Sequence, residues 1–369
     1  MKILSVFGTR PEAIKMAPIV RMLAQRSPQV ESVVCVTAQH REMLDQVLGL
    51  FDIVPDYDLD LMRPNQSLAA LTGLALERLD KVIGEVKPDW VLTQGDTTTA
   101  MVASLAAFYH RVKVGHVEAG LRTWDKYQPF PEEVNRRIAD TVADLHFAPT
   151  DQSRDNLLRE GIPSASIIVT GNTVIDALLD VAARPYDWNS GPLAAVPRGK
   201  RIVLVTAHRR ENFGAPLRAI CAALRDVASF SPDLQIVYPV HLNPNVREVV
   251  HLELGSLPNV SLLPPLDYLP LVHLMKAAEL ILTDSGGIQE EAPGLGKPVL
   301  VLREVTERPE GVAAGTVRLV GTGRQQIRDE TWRLLNDPAA YRNMANAVNP
   351  YGDGEASRRI IESIVKSEN

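Results

Sequence analysis

Residues 279–291 read ELILTDSGGIQEE: an apolar run, then Thr-Asp-Ser, then two adjacent glycines, then a carboxylate one turn further on. A short run that is apolar throughout, with no alternation, reads as a strand covered on both faces. The turn after it delivers Ser285, Gly286 and Gly287 to the start of a helix, where their backbone N–H groups can form a nest for an anion. Outward from this stretch the same phrase recurs along the whole chain. KILSVF (2–7), ESVVCVTA (31–38), DWVLTQG (89–95), VKVGHVE (112–118), LHFAPT (145–150) and SIIVTGN (166–172) occupy the first half. RIVLVTAH (201–208), LQIVYPVH (234–241), NVSLLPPL (259–266), ELILTDS (279–285) and KPVLVLR (297–303) occupy the second. Between them lie stretches such as SLAALTGLALERLDKVIGEV (67–86) and TTTAMVASLAAFYHR (97–111), whose apolar residues recur every three or four positions. Apolar strands alternating with amphipathic helices predict parallel sheets with helices on both faces. The expected fold is therefore α/β, with two doubly wound, Rossmann-like domains facing a central cleft.

The segment ARPYDWNSGPLAAVPRGK (183–200) is rich in Pro, Gly and small residues and reads as the link between them. The expected division is 1–182, a linker at 183–200, and 201–354. The tail EASRRIIESIVKSE reads as one closing helix, expected to complete the first domain over 355–369. Size agrees, because 369 residues exceed one ordinary core. With 39 Lys and Arg against 45 Asp and Glu, the net charge of −6 gives no basic footprint for nucleic acid. Cys35 and Cys221 stand far apart in apolar surroundings, as expected of reduced thiols. The opening MKILSVFGTR breaks too soon for a signal peptide, and no run is long enough for a membrane span, so a cytoplasmic protein is expected.

In open parallel sheets ligands bind beyond the carboxyl ends of the strands. Those ends carry Gly8 with Arg10, Asp96, Glu118, His208, His241, and Asp284 with Ser285. One polar strand end means little; six suggest a lined cleft. In FGTRPEAIK, Pro11 and Glu12 suit a helix start, and Arg10 and Lys15 project near its positive end. Glu291 can accept both hydroxyls of a ribose, although a capping carboxylate reads equally well. Arg308 in REVTERPEG has a loop salt bridge to Glu307 or Glu310 as its plainer reading. In GHVEAGLRTWDKYQPFPEEVNRRIAD (115–140), Glu132 with Arg136 and Glu133 with Arg137 have the spacing of helix-surface ion pairs. Glu118 is harder to place on a surface, because a buried carboxylate needs a partner; Arg122 is the nearest in sequence.

The stretches GTRPEAIKMAPI, QGDTTTAMVASLAAFY, HVEAGLRT, PFPEEVNRR, TAHRRENFG, DSGGIQEEAPGLGKPVLVLR and TERPEG, in this order, resemble the non-hydrolysing UDP-N-acetylglucosamine 2-epimerases from about Met1 to the last helix. The resemblance implies a glycosyltransferase-B type architecture and interconversion of UDP-GlcNAc and UDP-ManNAc, with UDP held throughout. It also implies a homodimer, no metal and no NAD, in supply of bacterial surface polysaccharide. It implies that Asp96, Glu118 and Glu132 form the acid/base set, with Arg136 orienting or balancing Glu132 and His208 against the departing diphosphate. Arg10, Lys15, Ser285, Gly286 and Gly287 would take up the charge on UDP, with Glu291 at the ribose and Arg308 at the nucleotide. Leu266 and Leu271 occupy base-contacting positions, and Leu271 departs from relatives that place an aromatic ring there. Gln39, Arg41 and His241 match a second, activating UDP-GlcNAc site, which Glu42 disfavours through its charge.

The chemistry explains the carboxylates. The hydrogen on carbon 2 of a nucleotide sugar is not acidic, since its neighbour is an acetal carbon. Expelling UDP while removing that proton leaves 2-acetamidoglucal, and UDP then returns to the same side after protonation of the opposite face. Two ring faces exchange protons, so one general acid or base is insufficient. A hydrolysing epimerase, an epimerase of a diacetamido UDP-sugar, a glycosyltransferase and a non-catalytic UDP-sugar sensor are the alternatives.

Overall fold

The computed structural model describes residues 1–37, 41–63 and 65–368. Its strands form two wholly parallel sheets. The first, among the described residues, contains β1 (Lys2–Phe7), β2 (Glu31–Val36), β3 (Tyr57–Asp58), β4 (Trp90–Gln94), β5 (Lys113–Val117), β6 (Leu145–Ala148) and β7 (Ile167–Val169), in the order β3-β2-β1-β4-β5-β6-β7. The second contains β8 (Arg201–Thr206), β9 (Leu234–Pro239), β10 (Val260–Leu263), β11 (Leu280–Thr283), β12 (Val299–Val301) and β13 (Val317–Leu319), in the order β10-β9-β8-β11-β12-β13. Both are wound outward in two directions from a central pair, β1 with β4 and β8 with β11. Where the winding reverses, the connecting helices leave on opposite faces, and the strand ends there are free to meet a ligand.

The chain divides into two compact units, Met1–Ala177 with Tyr351–Asn369, and Leu178–Pro350. The boundary falls inside the helix Thr173–Ala183. The segment 184–200 belongs to the second unit, where Leu193 and Val196 are buried and the Tyr186 ring stacks on His273 at 5.0 Å. In the first unit, Leu4, Val6, Val91 and Val114 pack against Leu79, Ile83, Ala103 and Ala106 of the covering helices. In the second, Val203, Val205, Ile236, Leu280 and Leu282 pack against Ile220, Leu224 and Ile327. Each fully buried aliphatic side chain contributes about 1.5–3 kcal/mol, so the continuous apolar runs account for the two cores. Both cysteines are free and buried, and burial pushes their thiols up to about 12.

The last helix, Ala356–Ser367, packs on the first, Arg10–Ala24. Asp176 accepts its opening N–H groups at Ala356 (3.3 Å) and Ser357 (2.8 Å). At its far end Glu368 accepts from the Trp90 indole and Lys113. Among the described residues no helix is long and apolar enough to cross a membrane.

Candidate active site

In the first unit, β1 ends in a turn pressed against its neighbours. A Cβ at Gly8 would stand 1.9 Å from the Thr37 hydroxyl and 2.9 Å from that of Thr99, so only glycine fits. Thr9 then caps the helix Arg10–Ala24, and Glu12 closes the capping box. The Glu12 carboxylate is buried and accepts from the backbone of Gly8 (2.9 Å) and Thr9 (2.7 Å) and from the Thr97 hydroxyl; burial raises its pKa. It therefore ties the β1 turn to the β4 turn as well as complementing the helix dipole. Arg10 is half-buried at the helix start.

Lys15, one turn on, meets Glu118. Its ammonium donates to both Glu118 oxygens at 2.7 and 2.6 Å, and Asn172 (3.1 Å) and Gln94 donate to the same carboxylate. Glu118 is 7% exposed and has a positive φ of 66°, a conformation that costs a non-glycine residue energy and marks a constrained position. Arg122, its nearest cation in sequence, goes elsewhere: it donates to Asp140 at 2.7 Å and to Glu160. The left-handed turn at Glu118 carries its side chain towards Lys15, leaving Arg122 to neutralise the buried Asp140.

The other carboxylates follow the same pattern. Asp96, after β4, accepts from Arg136 Nη2, while its backbone carbonyl accepts from the Asn135 amide at 3.0 Å. Arg136 also donates to Glu133 at 3.2 Å. The helix Glu132–Val142 thus turns Arg136 to Asp96 and Glu133, while Arg137 lies 3.6 Å from Glu133 as its spacing predicts. Glu133 is fully buried and receives the backbone N–H groups of Thr123 and Trp124, each at 3.1 Å, which pins the loop before the helix. Glu132 has a different environment: its Oε2 is buried without a hydrogen-bond partner, as is Arg136 Nε. An unpaired acceptor in such a place is costly unless a ligand supplies the proton.

In the second unit, Asp284 follows β11 and is fully buried. One of its oxygens accepts from the backbone of His208 and Arg209, both at 2.8 Å, and from the Asn212 amide at 2.9 Å. Its other oxygen lies 3.6 Å from His208 Nδ1. Asp284 thereby fixes the turn after β8. The His208 ring is stacked on His241 at 5.3 Å and nearly parallel. Loss of water on its packed face lowers the His208 pKa; Asp284 opposes this, and His241 and Arg209 reinforce it.

Ser285 precedes the helix Gly286–Gly294 and makes no side-chain cap, which leaves the first N–H groups of that helix available. Guanidinium nitrogens of Arg209 and Arg308 stand 3.7 and 4.0 Å from where a Gly286 Cβ would be, so two cations flank a helix N-terminus. Arg308 is held by Glu290 through Nε and by the Glu307 carbonyl at 3.2 Å. Glu291, 7% exposed, accepts from the Tyr268 hydroxyl at 2.7 Å. Leu266 is buried and Leu271 half-buried, on either side of Tyr268 at the start of the helix Tyr268–Ala277.

Of the proposed second-site residues, Gln39 lies outside the described residues. Arg41 pairs with Asp58 at 2.6 Å and approaches Asp45 and Asp60 at 3.7 Å. His241 is exposed, and its Nδ1 accepts from the Asn243 backbone at 3.0 Å. The roles of Gln94, Asn172, Tyr268 and Glu290 carry no signal in the sequence. Asp284 was visible as a strand-end carboxylate, and the two backbone N–H groups it receives are the part that only the fold supplies.

A family model described as UDP-N-acetylglucosamine 2-epimerase matches residues 22–365. The chain belongs to the UDP-N-acetylglucosamine 2-epimerase family. It is 59% identical to the UDP-N-acetylglucosamine 2-epimerase of Escherichia coli (strain K12), over 99% of this chain and 98% of that protein. It is 54% identical to that of Bacillus subtilis (strain 168), over 99% and 95%. Among solved structures it resembles the UDP-GlcNAc 2-epimerase of Neisseria meningitidis bound to UDP-GlcNAc, with 51% identity, a TM-score of 0.88 and coverage of 99% and 100%.

Proposed function

We propose that this protein interconverts UDP-GlcNAc and UDP-ManNAc by eliminating UDP and adding it back. The observation that carries this reading is the set of three carboxylates in the first unit. Glu118 is paired with Lys15, Asp96 with Arg136, and Glu132 keeps one buried oxygen unpartnered. In the forward step one carboxylate takes the proton from carbon 2, the carbon–hydrogen electrons form the double bond to carbon 1, and the anomeric carbon–oxygen bond breaks towards UDP. In the return step a protonated carboxylate on the other face delivers a proton to carbon 2, and a UDP oxygen attacks carbon 1 from the side it left. No net proton or electron is exchanged.

The second unit supports the other half of the reaction. Ser285, Gly286 and Gly287 at a helix N-terminus, with Arg209 and Arg308 beside them, suit the charge that develops on departing UDP. His208, with its depressed pKa, is neutral near pH 7 until an anion raises it. Glu291 is the candidate for the ribose, and Leu266 and Leu271 for the uracil. Arg10, at the start of its helix, is the first unit's candidate for binding negative charge. Lys15, bound to Glu118, acts in this proposal mainly by holding that carboxylate ionised. The working form is a homodimer in the cytoplasm, supplying surface polysaccharide synthesis.

NMR of the purified protein with UDP-GlcNAc alone tests the reading. UDP-ManNAc should appear and, in heavy water, carry deuterium at carbon 2. Release of free ManNAc would assign hydrolysis instead, and unchanged substrate with tight UDP binding would leave a sensor.

A further inference from the structure

Behind the three carboxylates lies a fully buried histidine that the proposed mechanism leaves unused. His116, on β5 two residues before Glu118, is 0% exposed, and both of its ring nitrogens face acceptors. Nε2 lies 2.7 Å from the Gly95 carbonyl and Nδ1 lies 2.6 Å from Asp140 Oδ1. A carbonyl oxygen can only accept, so Nε2 carries a proton. Asp140 receives the Arg122 guanidinium on its other oxygen at 2.7 Å, which keeps it a carboxylate, so Nδ1 carries a proton as well. The ring is then an imidazolium, and its charge is balanced locally, with Arg122 and His116 set against Asp140 and Glu160. Burial opposes the charge on His116, but Asp140 and the Gly95 carbonyl outweigh it and raise its pKa; burial likewise opposes the charge on Asp140, and His116 with Arg122 outweighs it and lowers its pKa.

This cation joins the elements that carry the acid/base groups. Gly95 precedes Asp96, so fixing its carbonyl fixes the peptide that aims Asp96. Gly95 also has a positive φ of 74°, its N–H donates to the Val117 carbonyl at 2.9 Å, and a Cβ there would be 3.8 Å from Glu118 Oε2. Asp140 lies on the helix of Glu132 and Arg136, with 132, 136 and 140 spaced four apart along one face. We infer that His116 is a positioning residue for the proposed epimerisation, a permanent buried cation that locks the ends of β4 and β5 to the Glu132–Val142 helix. It rests on that proposed activity and touches no substrate.

The test compares wild type with His116→Gln, Asp140→Asn and a control, His146→Gln. His146 pairs with His116 in the sheet register and lies 2.8 Å from the Asp140 backbone carbonyl, but has no contact with Gly95 through its ring nitrogens, which face Asp140 and Ser166 carbonyls. Each variant is assayed below its own melting temperature. His116→Gln and Asp140→Asn should lower kcat about ten- to a hundredfold with KM within about twofold, since misplaced catalytic groups cost turnover more than binding. His146→Gln should stay within about threefold of wild type even where its melting temperature falls as far. Nitrogen-15 NMR of the wild type should show two ring N–H protons on His116, assigned by their loss in His116→Gln. A folded His116→Gln with kcat within twofold of wild type, or a single ring proton, overturns the proposal. A wild type that leaves UDP-GlcNAc unchanged instead removes the activity on which it rests.

Discussion

At the ends of β4 and β5 the protein surrounds carboxylates with cations and amides, whereas at the ends of β8 and β11 it gathers cations and N–H groups around a helix start. Glu118 has Lys15, Gln94 and Asn172, and Asp96 has Arg136. In the second unit Asp284 is already committed to two backbone N–H groups and Asn212, which leaves Arg209, Arg308 and the Gly286–Gly294 N-terminus facing outward from it. The same topology is thus dressed for two tasks. The first region holds groups that can give and take protons; the second can receive negative charge.

The largest expected effect is on turnover. Glu118→Gln and Asp96→Asn preserve shape but remove proton transfer, so kcat should fall about a hundred- to ten-thousandfold. UDP affinity measured by calorimetry should change little. A comparable loss of UDP binding would erase the division of labour between the two regions.

Glu132→Gln separates a functional from a structural carboxylate on one helix. Its neighbour Glu133 is saturated by Thr123, Trp124 and Arg136, so Glu133→Gln should mainly lower the melting temperature. Glu132, with its unpartnered buried oxygen, should lose about a hundredfold in kcat with little change in melting temperature. Near-normal turnover in Glu132→Gln would leave its buried oxygen without a role in the reaction.

These residues also show what the sequence can and cannot convey. The two sheets were legible because nearly every strand is an apolar run long enough to read alone. The strands that escaped, β3 at Tyr57–Asp58 and β13 at Val317–Leu319, are edge strands of two and three residues whose exposed faces carry no apolar run. Helix limits were legible too: SLAALTGLALERLDKVIGEV contains the helix Leu68–Val86 with Ser67 as its cap. Strand-end residues stood out because a charge directly after a buried strand is conspicuous. Their partners did not, since local spacing pairs Glu132 with Arg136 and Glu118 with Arg122, while the fold pairs Arg136 with Asp96 forty residues away and Glu118 with Lys15 across 103. Gln94 and Asn172 had no chance of notice, because an amide acquires meaning only from the carboxylate it meets.

In the second region effects should be smaller and fall on binding. Ser285→Ala removes a hydroxyl beside the helix start, and Arg308→Ala removes one of two cations there together with its ion pair to Glu290. UDP affinity should fall a few-fold for the first and about tenfold or more, roughly 1.4 kcal/mol, for the second. Their kcat at saturating substrate should fall by no more than about the same factors, far less than in the carboxylate variants. A Ser285→Ala or Arg308→Ala enzyme that both binds UDP and turns over as the wild type does would move charge stabilisation out of this region.

The smallest effect is a proton. His208 has a pKa below its ordinary value, because its packed face has lost water and His241 and Arg209 add positive charge, only partly offset by Asp284. It is therefore mostly neutral at and just below pH 7 in the free protein. A diphosphate placed beside it would favour the charged form and raise that pKa, so UDP binding should take up a fraction of a proton as the pH drops from 7 towards 6. Calorimetry of UDP binding in buffers of different ionisation enthalpy reads that fraction directly. The uptake should vanish in His208→Gln and persist in Glu118→Gln, since the latter changes only the first region. Proton release on binding, or uptake that disappears with Glu118→Gln instead, would mean that the two regions do not divide proton and charge handling as their contacts indicate. Folding stability gives an independent check from the same shift. A histidine whose folded pKa is depressed favours folding most above its unfolded pKa of about 6.5, and that advantage declines as pH falls below it. The wild type should therefore lose stability relative to His208→Gln on acidification through this range, and UDP should reverse the trend.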